Sequence, residues 1–150
     1  MRYCLLIVAL LAFTFCSAQR LTMDKVPAAA AQAFKIKYPN GSQPGWIKAS
    51  ATTYEVQFFN GKKRQAAYFD DTGKWIETHS EAGYNQLPAK VRNVFERDFE
   101  SYIVQEVYEI ETADKGFNYE VTAFKGKQSF IAVFSAKGEL LKMEENTNAE

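Results

Sequence analysis

His79 is the one histidine of the chain, and Glu77 and Glu81 stand two residues to either side of it in "IETHSEA". Side chains alternate along an extended strand, so all three would point the same way and could approach a cation together. One imidazole and two solvated carboxylates fall short of a zinc site, which takes three or more firmly held protein ligands. A surface histidine at a strand end is expected instead. Asp70 and Asp71, before Thr72 and Gly73, supply oxygen atoms but lack the alternating-oxygen spacing of a calcium loop. Turn capping is the expected role. Ser42, Ser50, Ser80, Ser101, Ser129 and Ser135 have no nucleophile-elbow context, and any triad would have to run through His79. No glycine-rich phosphate loop is present. The expectation is no catalytic residue, no metal and no cofactor, with a hydrolytic enzyme the most distant reading.

The N-terminus reads "MRYCLLIVALLAFTFCSAQ". One Arg2, an apolar run from Leu5 to Phe15 and small residues at Ser17 and Ala18 have the layout of a secretory signal peptide. The run is short for a bilayer span. Residues 1–18 are therefore expected to be removed, leaving a single mature domain over 19–150. Anchoring through Cys16 as a lipoprotein is the lesser alternative, because Phe13, Thr14 and Phe15 fit such a cleavage site poorly. Both cysteines, Cys4 and Cys16, lie in the removed segment, so no thiol chemistry, disulfide or thiolate zinc site is expected. Loss of Arg2 leaves 17 of 18 basic residues against 18 acidic ones. That balance does not attract polyanions, so nucleic acid is not an expected partner.

The elements that must position any site come from a repeated text. "YEVQFFNGKKRQAAYFDDTGKWIE" from Tyr54 and "YEVTAFKGKQSFIAVFSAKGELLK" from Tyr119 match at a constant offset of 65 (119 − 54). Upstream, Val26, Ala30, Ala33, Phe34 and Tyr38 correspond to Leu87, Val91, Val94, Phe95 and Phe99 at an offset of 61 (87 − 26). The spacing i, i+4, i+7, i+8, i+12 is one face of a helix. Pro27 and Pro88 fall where proline is tolerated, in the first turn. Each helix precedes four β-type segments separated by turn residues. The chain therefore reads as two repeats, about 24–82 and 85–146, each a helix plus a four-stranded antiparallel meander. The class is α+β: one curved antiparallel sheet with both helices on one face.

A tight turn at Asn60-Gly61 would set Phe59 opposite Lys62 and Val56 opposite Gln65. Gly73 and Gly138 would close longer hairpins in a left-handed conformation. Alternation puts Tyr54, Val56, Phe58, Ala67 and Phe69 on the helix side, with Tyr119, Val121, Ala123, Phe130, Ala132 and Phe134 as counterparts. The reverse face carries Glu55, Gln57, Phe59, Arg64, Ala66 and Tyr68, then Glu120, Thr122, Phe124, Ser129, Ile131 and Val133. That mixture is either ordinary sheet cover or a contact surface for another protein. Trp46 and Trp75 have no tryptophan counterparts in the second repeat, which places Val107 and Leu140 there. They either fill core space or anchor a partner.

The pattern "[VL]PA…F", "YEV…F.G", "…A.F", "..G", present twice, resembles the PepSY-like proteins of the bacterial envelope, a group compared with the β-lactamase inhibitory protein. The resemblance runs from about Lys25 to Glu145. It implies a helix-plus-meander unit used twice, and a non-enzymatic role in binding or restraining other proteins, hydrolases among them. It supplies no catalytic residues. The namesake inhibitor carries disulfides that a mature chain without cysteine cannot form, so inhibition of β-lactamase itself is not expected.

The expected function is that of a periplasmic or secreted protein-binding module, one that restrains a protease or other envelope hydrolase. Phe59, Arg64, Tyr68, Trp75, Phe124 and Ile131 are the candidate partner-binding residues. No membrane association is expected after signal cleavage, and an edge strand could pair with a second copy. The alternative is a carrier of a small apolar ligand held between helices and sheet, for which the small-residue run Ala28 to Ala31 could leave room.

Overall fold

The computed structural model describes residues 20–114 and 116–147. The expected signal peptide, with Cys4 and Cys16, lies outside the described residues. A 3₁₀ turn at Met23–Lys25 precedes helix α1 (Ala28–Lys37), which is followed by strands β1 (Gly41–Lys48), β2 (Thr53–Asn60), β3 (Lys63–Asp70) and β4 (Trp75–Glu81). A second 3₁₀ turn, Tyr84–Gln86, precedes α2 (Ala89–Asp98) and strands β5 (Ile103–Thr112), β6 (Gly116–Lys125), β7 (Gln128–Ser135) and β8 (Leu140–Thr147). All eight strands join one sheet in chain order, and every neighbouring pair is antiparallel.

Pro27 and Pro88 stand one position before the first helical residue, with φ of −55° and −53°. Their fixed torsion starts the helix without costing a hydrogen bond. The Tyr38 N–H closes α1 on the Phe34 carbonyl, and Pro39 cannot extend it. The four extra residues that the sequence offset (61 against 65) places between Phe99 and Tyr119 fall mostly in the β5–β6 hairpin. β5 and β6 are ten residues each, against eight for β1 and β2.

The turn between β2 and β3 differs from the sequence expectation. Asn60 pairs with Lys63, Phe59 with Arg64 and Val56 with Ala67, so the loop is Gly61-Lys62. Gly61 takes the positive φ of 63° at the first loop position, where a II′-type turn wants glycine, and Asn60 remains in the strand. The register moves by two residues. A displacement of two preserves which side chains share a face, whereas a displacement of one would have inverted both faces.

Two apolar clusters hold helices against strands. In the first, Val26, Ala30, Phe34 and Tyr38 meet Trp46, Tyr54, Val56, Phe58, Ala67 and Phe69. In the second, Leu87, Val91 and Phe95 meet Val107, Tyr119, Val121, Ala123, Phe130, Ala132 and Phe134. The Phe34 ring meets Phe58 edge-on at 4.9 Å and Trp46 edge-on at 5.9 Å, a geometry in which positive ring edges meet negative faces. Ten-residue helices are marginal alone. Burial of these stripes, at about 1.5–3 kcal/mol for a large apolar side chain, is what keeps them folded.

The C-terminal end of α1 is also tied to the middle of the sheet. Tyr38 and Thr78 share a hydrogen bond between hydroxyls, and Trp75 Nε1 donates to Thr78 Oγ1 at 2.9 Å. Lys37 Nζ lies 3.5 Å from the centre of the Trp75 indole and 3.7 Å from Glu111 on β5. Burial pushes the Tyr38 phenol up to about 12. It therefore stays a hydrogen-bonding hydroxyl throughout the physiological range.

Candidate protein-interaction face

Following pairs outward from β2 identifies the face that turns away from the two clusters. Glu55 pairs with Tyr68 and Gln57 with Ala66. Tyr68 then pairs with Glu77, and Ala66 with His79. His79 continues to Ile110, Tyr108 to Glu120, Glu120 to Val133 and Thr122 to Ile131. Lys142 and Glu144 close the rows on β8.

The centre of this face is shielded from solvent. Tyr68 is 4 % exposed, and Glu55, Ala66, Ile110 and Val133 are also buried. Glu55 accepts a hydrogen bond from Gln57 Nε2 at 2.7 Å. His79 Nε2 lies 2.9 Å from Glu77 Oε1, and its ring centre is 5.1 Å from that of Tyr68. Burial, with Glu55 and Glu77 beside it, pushes the Tyr68 phenol well above its ordinary value. Glu120 is raised as well, first by burial and then by Glu77, Glu106 and Glu144, with His79 opposing them.

His79 is not the exposed strand-end residue expected from sequence. Its side chain is 13 % exposed, because β4 has β3 on one side and β5 on the other. Glu77 and Glu81 do share its face, but among the described residues no group of three or more metal-ligating side chains could hold an ion. Asp70 has the expected turn role. Its Oδ1 accepts from the Thr72 N–H, the Thr72 hydroxyl and the Lys74 N–H, and these bonds, the hydroxyl first, hold its carboxyl below the usual range. Ser135 Oγ does the same for Lys137 and Glu139 in the second copy.

The six candidate partner-binding residues divide by position. Phe59, 40 % exposed, and Arg64, 3.7 Å from Glu81 with both half-exposed, reach solvent on this face. Phe124 and Ile131 are half-buried on it. Tyr68 is enclosed within it. Trp75 instead packs beneath α1 against the first cluster, where a bulge between Tyr68 and Phe69 and the Thr78 bond direct its ring. Ile103, which pairs with Phe124 and is 61 % exposed, belongs to the surface but escaped sequence reading. The only clue was its place just ahead of the alternating run from Val104. Glu120 was legible as a member of this face, but its half-burial among charged groups of β4, β5 and β8 was not.

Glu120→Gln is expected to raise the urea midpoint at pH 7. A carboxyl whose folded-state pKa is raised holds its proton more tightly when folded, so ionising it costs stability. That cost is absent below the ordinary glutamate range and grows as pH rises through it. The gain from the substitution should therefore vanish in acid. A variant less stable than wild type at both pH values would show that the carboxylate makes bonds the fold requires.

Two helices on an eight-stranded antiparallel sheet, with a mixed polar and aromatic outer surface, define an α+β scaffold of BLIP-like type. The chain belongs to the PepSY-like family: the family model described as "Putative beta-lactamase-inhibitor-like, PepSY-like" matches residues 52–142. The fold is similar to that of a BLIP-like protein from Bacteroides fragilis, at 25% identity and TM-score 0.70 over 81% of this chain and 87% of the other. It is also similar to a structure from Bacteroides eggerthii described among "putative periplasmic proteins", at 22% identity and TM-score 0.77 over 83% and 91% of the two chains. No curated protein matches the chain. Among the described residues no helix is long and apolar enough to cross a membrane.

Proposed function

We propose that the protein is a non-enzymatic, inhibitor-type binding module of the periplasm or the secreted fraction, delivered by a signal peptide over residues 1–18. Family membership supports the type. The working surface is the face bearing Phe59, Arg64, Ile103, Phe124 and Ile131. The scaffold is a duplicated helix-plus-meander with both helices on the other side. Strand register supports that arrangement: Thr78, which bonds Tyr38 of α1, pairs with Glu111, and alternation from Glu111 through Glu109 reaches Val107, which packs under α2. The carrying observation is that the exposed apolar groups Phe59 and Ile103 share one face with the half-exposed Arg64 and with an acid-rich centre in which Glu55 and Glu77 are engaged by Gln57 and His79. Exposed aromatic and aliphatic side chains beside an arginine are the kinds of group that anchor protein interfaces. The target is a protein, such as an envelope hydrolase, that presents basic and apolar groups to this face.

Affinity capture from cell-envelope extract tests the reading. Phe59→Ala/Arg64→Ala should weaken retention of the captured partner by on the order of tenfold or more. Ile36→Ala, on the outer side of α1 and 73 % exposed, should leave it unchanged. Equal retention by all three proteins would place the contact elsewhere. No observation favours the apolar carrier. Ala30, Val56, Ala67 and Phe69 are fully buried, as are Val91, Val121, Ala132 and Phe134, so the helix–sheet space is filled by the protein's own side chains. Strand addition by a second copy would use β8. On β1, a bulge between Ser42 and Gly45, Pro44 and the Leu21 N–H bonded to the Trp46 carbonyl at 2.8 Å blunt the opposite edge.

A further inference from the structure

Beside the C-terminal end of α2 lies a groove of about 280 Å³, lined by Tyr84, Phe95, Phe99, Tyr102 and Val104 with Glu96 and Glu100 at its rim. It is on the helix side of the sheet, away from the face described above. Phe99 and Tyr102 meet edge-on at 6.3 Å, as do Tyr84 and Phe95 at 5.9 Å. Phe130 supports Tyr102 from below at 4.8 Å. These contacts fix the rings without covering them: Tyr84, Phe99 and Tyr102 are only half-buried. The Tyr84 hydroxyl donates to Glu96 Oε1 at 3.2 Å, and Glu100 is exposed in the turn that follows α2.

The fold does not require this groove, because the first copy closes without it. At the offset of 61, Met23 stands for Tyr84, Lys35 for Glu96, Pro39 for Glu100 and Gly41 for Tyr102. Gly41 lets the Phe34 ring pack so close that an added Cβ would lie 2.9 Å from it. The second copy therefore has four tyrosine or glutamate side chains where the first has methionine, proline, glycine and a lysine of opposite charge. Aromatic faces attract cations, and flanking carboxylates add to that attraction. The protein already shows the preference locally: Lys125 Nζ, bonded to Ser101 Oγ at 2.9 Å, sits 5.9 Å from the Tyr102 ring centre. At the small end of the ligand-pocket range, the space suits one side chain rather than a whole small molecule.

We infer that the groove binds the basic side chain, lysine or arginine, of a partner polypeptide. The rings of Tyr84, Phe99 and Tyr102 cover its aliphatic stem and face its charge, and Glu96 and Glu100 neutralise it. The partner here is separate from whatever meets the opposite face, so the inference stands without that reading.

The test is titration of the isotope-labelled protein, followed by amide NMR shifts, with acetyl-Gly-Lys-Gly-amide and its arginine analogue. The norleucine analogue, of similar length but uncharged, is the control. Saturable shifts at Tyr84, Phe99 and Tyr102 are expected with both basic peptides and not with norleucine. Glu96→Gln/Glu100→Gln should weaken the lysine peptide about fivefold while leaving distant amides in place. Tyr102→Leu, which keeps apolar bulk and removes the ring, should weaken it also. Equal shifts with norleucine would overturn the inference in favour of a plain apolar groove. Shifts at these amides that follow protein concentration alone would overturn it in favour of a second copy. Absence of saturable shifts with either basic peptide would overturn it outright.

Discussion

Gly73→Ala is expected to cost about 3 kcal/mol or more of unfolding free energy, and Gly138→Ala about as much. Two effects combine. Gly73 has φ +87° and Gly138 φ +84°, where a side chain strains the backbone. A Cβ at Gly73 would also lie 2.7 Å from the Ala29 carbonyl oxygen, and one at Gly138 2.8 Å from that of Lys90. Backbone cannot swing aside as a flexible side chain can, so each β-hairpin would have to lift off the first turn of its helix. Gly61 separates the two effects: its φ is +63°, but nothing lies within 4 Å of its Cβ position. Gly61→Ala should therefore cost only the conformational part, about 1 kcal/mol. Urea denaturation of the three variants decides the matter. If Gly73→Ala costs no more than Gly61→Ala, the helix contact carries no weight.

Phe69→Ala and Phe134→Ala should each destabilise by about 3–5 kcal/mol. Both rings are wholly buried, one in each apolar cluster, so truncation removes a large apolar side chain and leaves a cavity. Phe69 lies among Val56, Trp46 and Ala67, with the Trp46 ring centre 6.3 Å away. Because β4 and β5 pair from Glu77 to Glu81 with Tyr108 to Thr112, and Lys37 reaches Glu111 across that join, both losses should appear in one cooperative transition. Separate transitions, one shifted by each variant, would mean that the copies unfold independently.

Much of the architecture could be read from the chain because it depends on local periodicity. A helix stripe at Val26, Ala30, Phe34 and Tyr38, and period-two alternation at Tyr54, Val56 and Phe58, each state their own buried face. The core of both clusters follows from those two periods. Even the misplaced hairpin turn left the faces intact, since only an odd displacement inverts them. The turn itself was ambiguous because Asn60 and Gly61 both tolerate positive φ, and only pairing to β3 shows which of them takes it.

The site was less legible. Arg64 and Phe59 were recognisable as exposed members of a mixed face, but the enclosure of Tyr68 and His79 was not. Their burial depends on which side chains strand pairing sets beside them: Glu55 and Glu77 flank Tyr68, and Ile110 of β5 pairs with His79. Trp75 shows the same limit. Its composition suggested an anchor for a partner, yet a bulge and one hydroxyl, Thr78, turn it under α1 beside Lys37.

By itself the amino-acid order determined the two helices, the eight strands and their inward faces, because each rests on periodicity over residues a few positions apart. Only the tertiary structure decided which outward side chains are open, that His79 is shielded and Glu120 half-buried, and that a ring-lined acidic groove lies beside α2. Those properties depend on which side chains strand pairing and helix packing bring together from separate parts of the chain, and no local pattern records that.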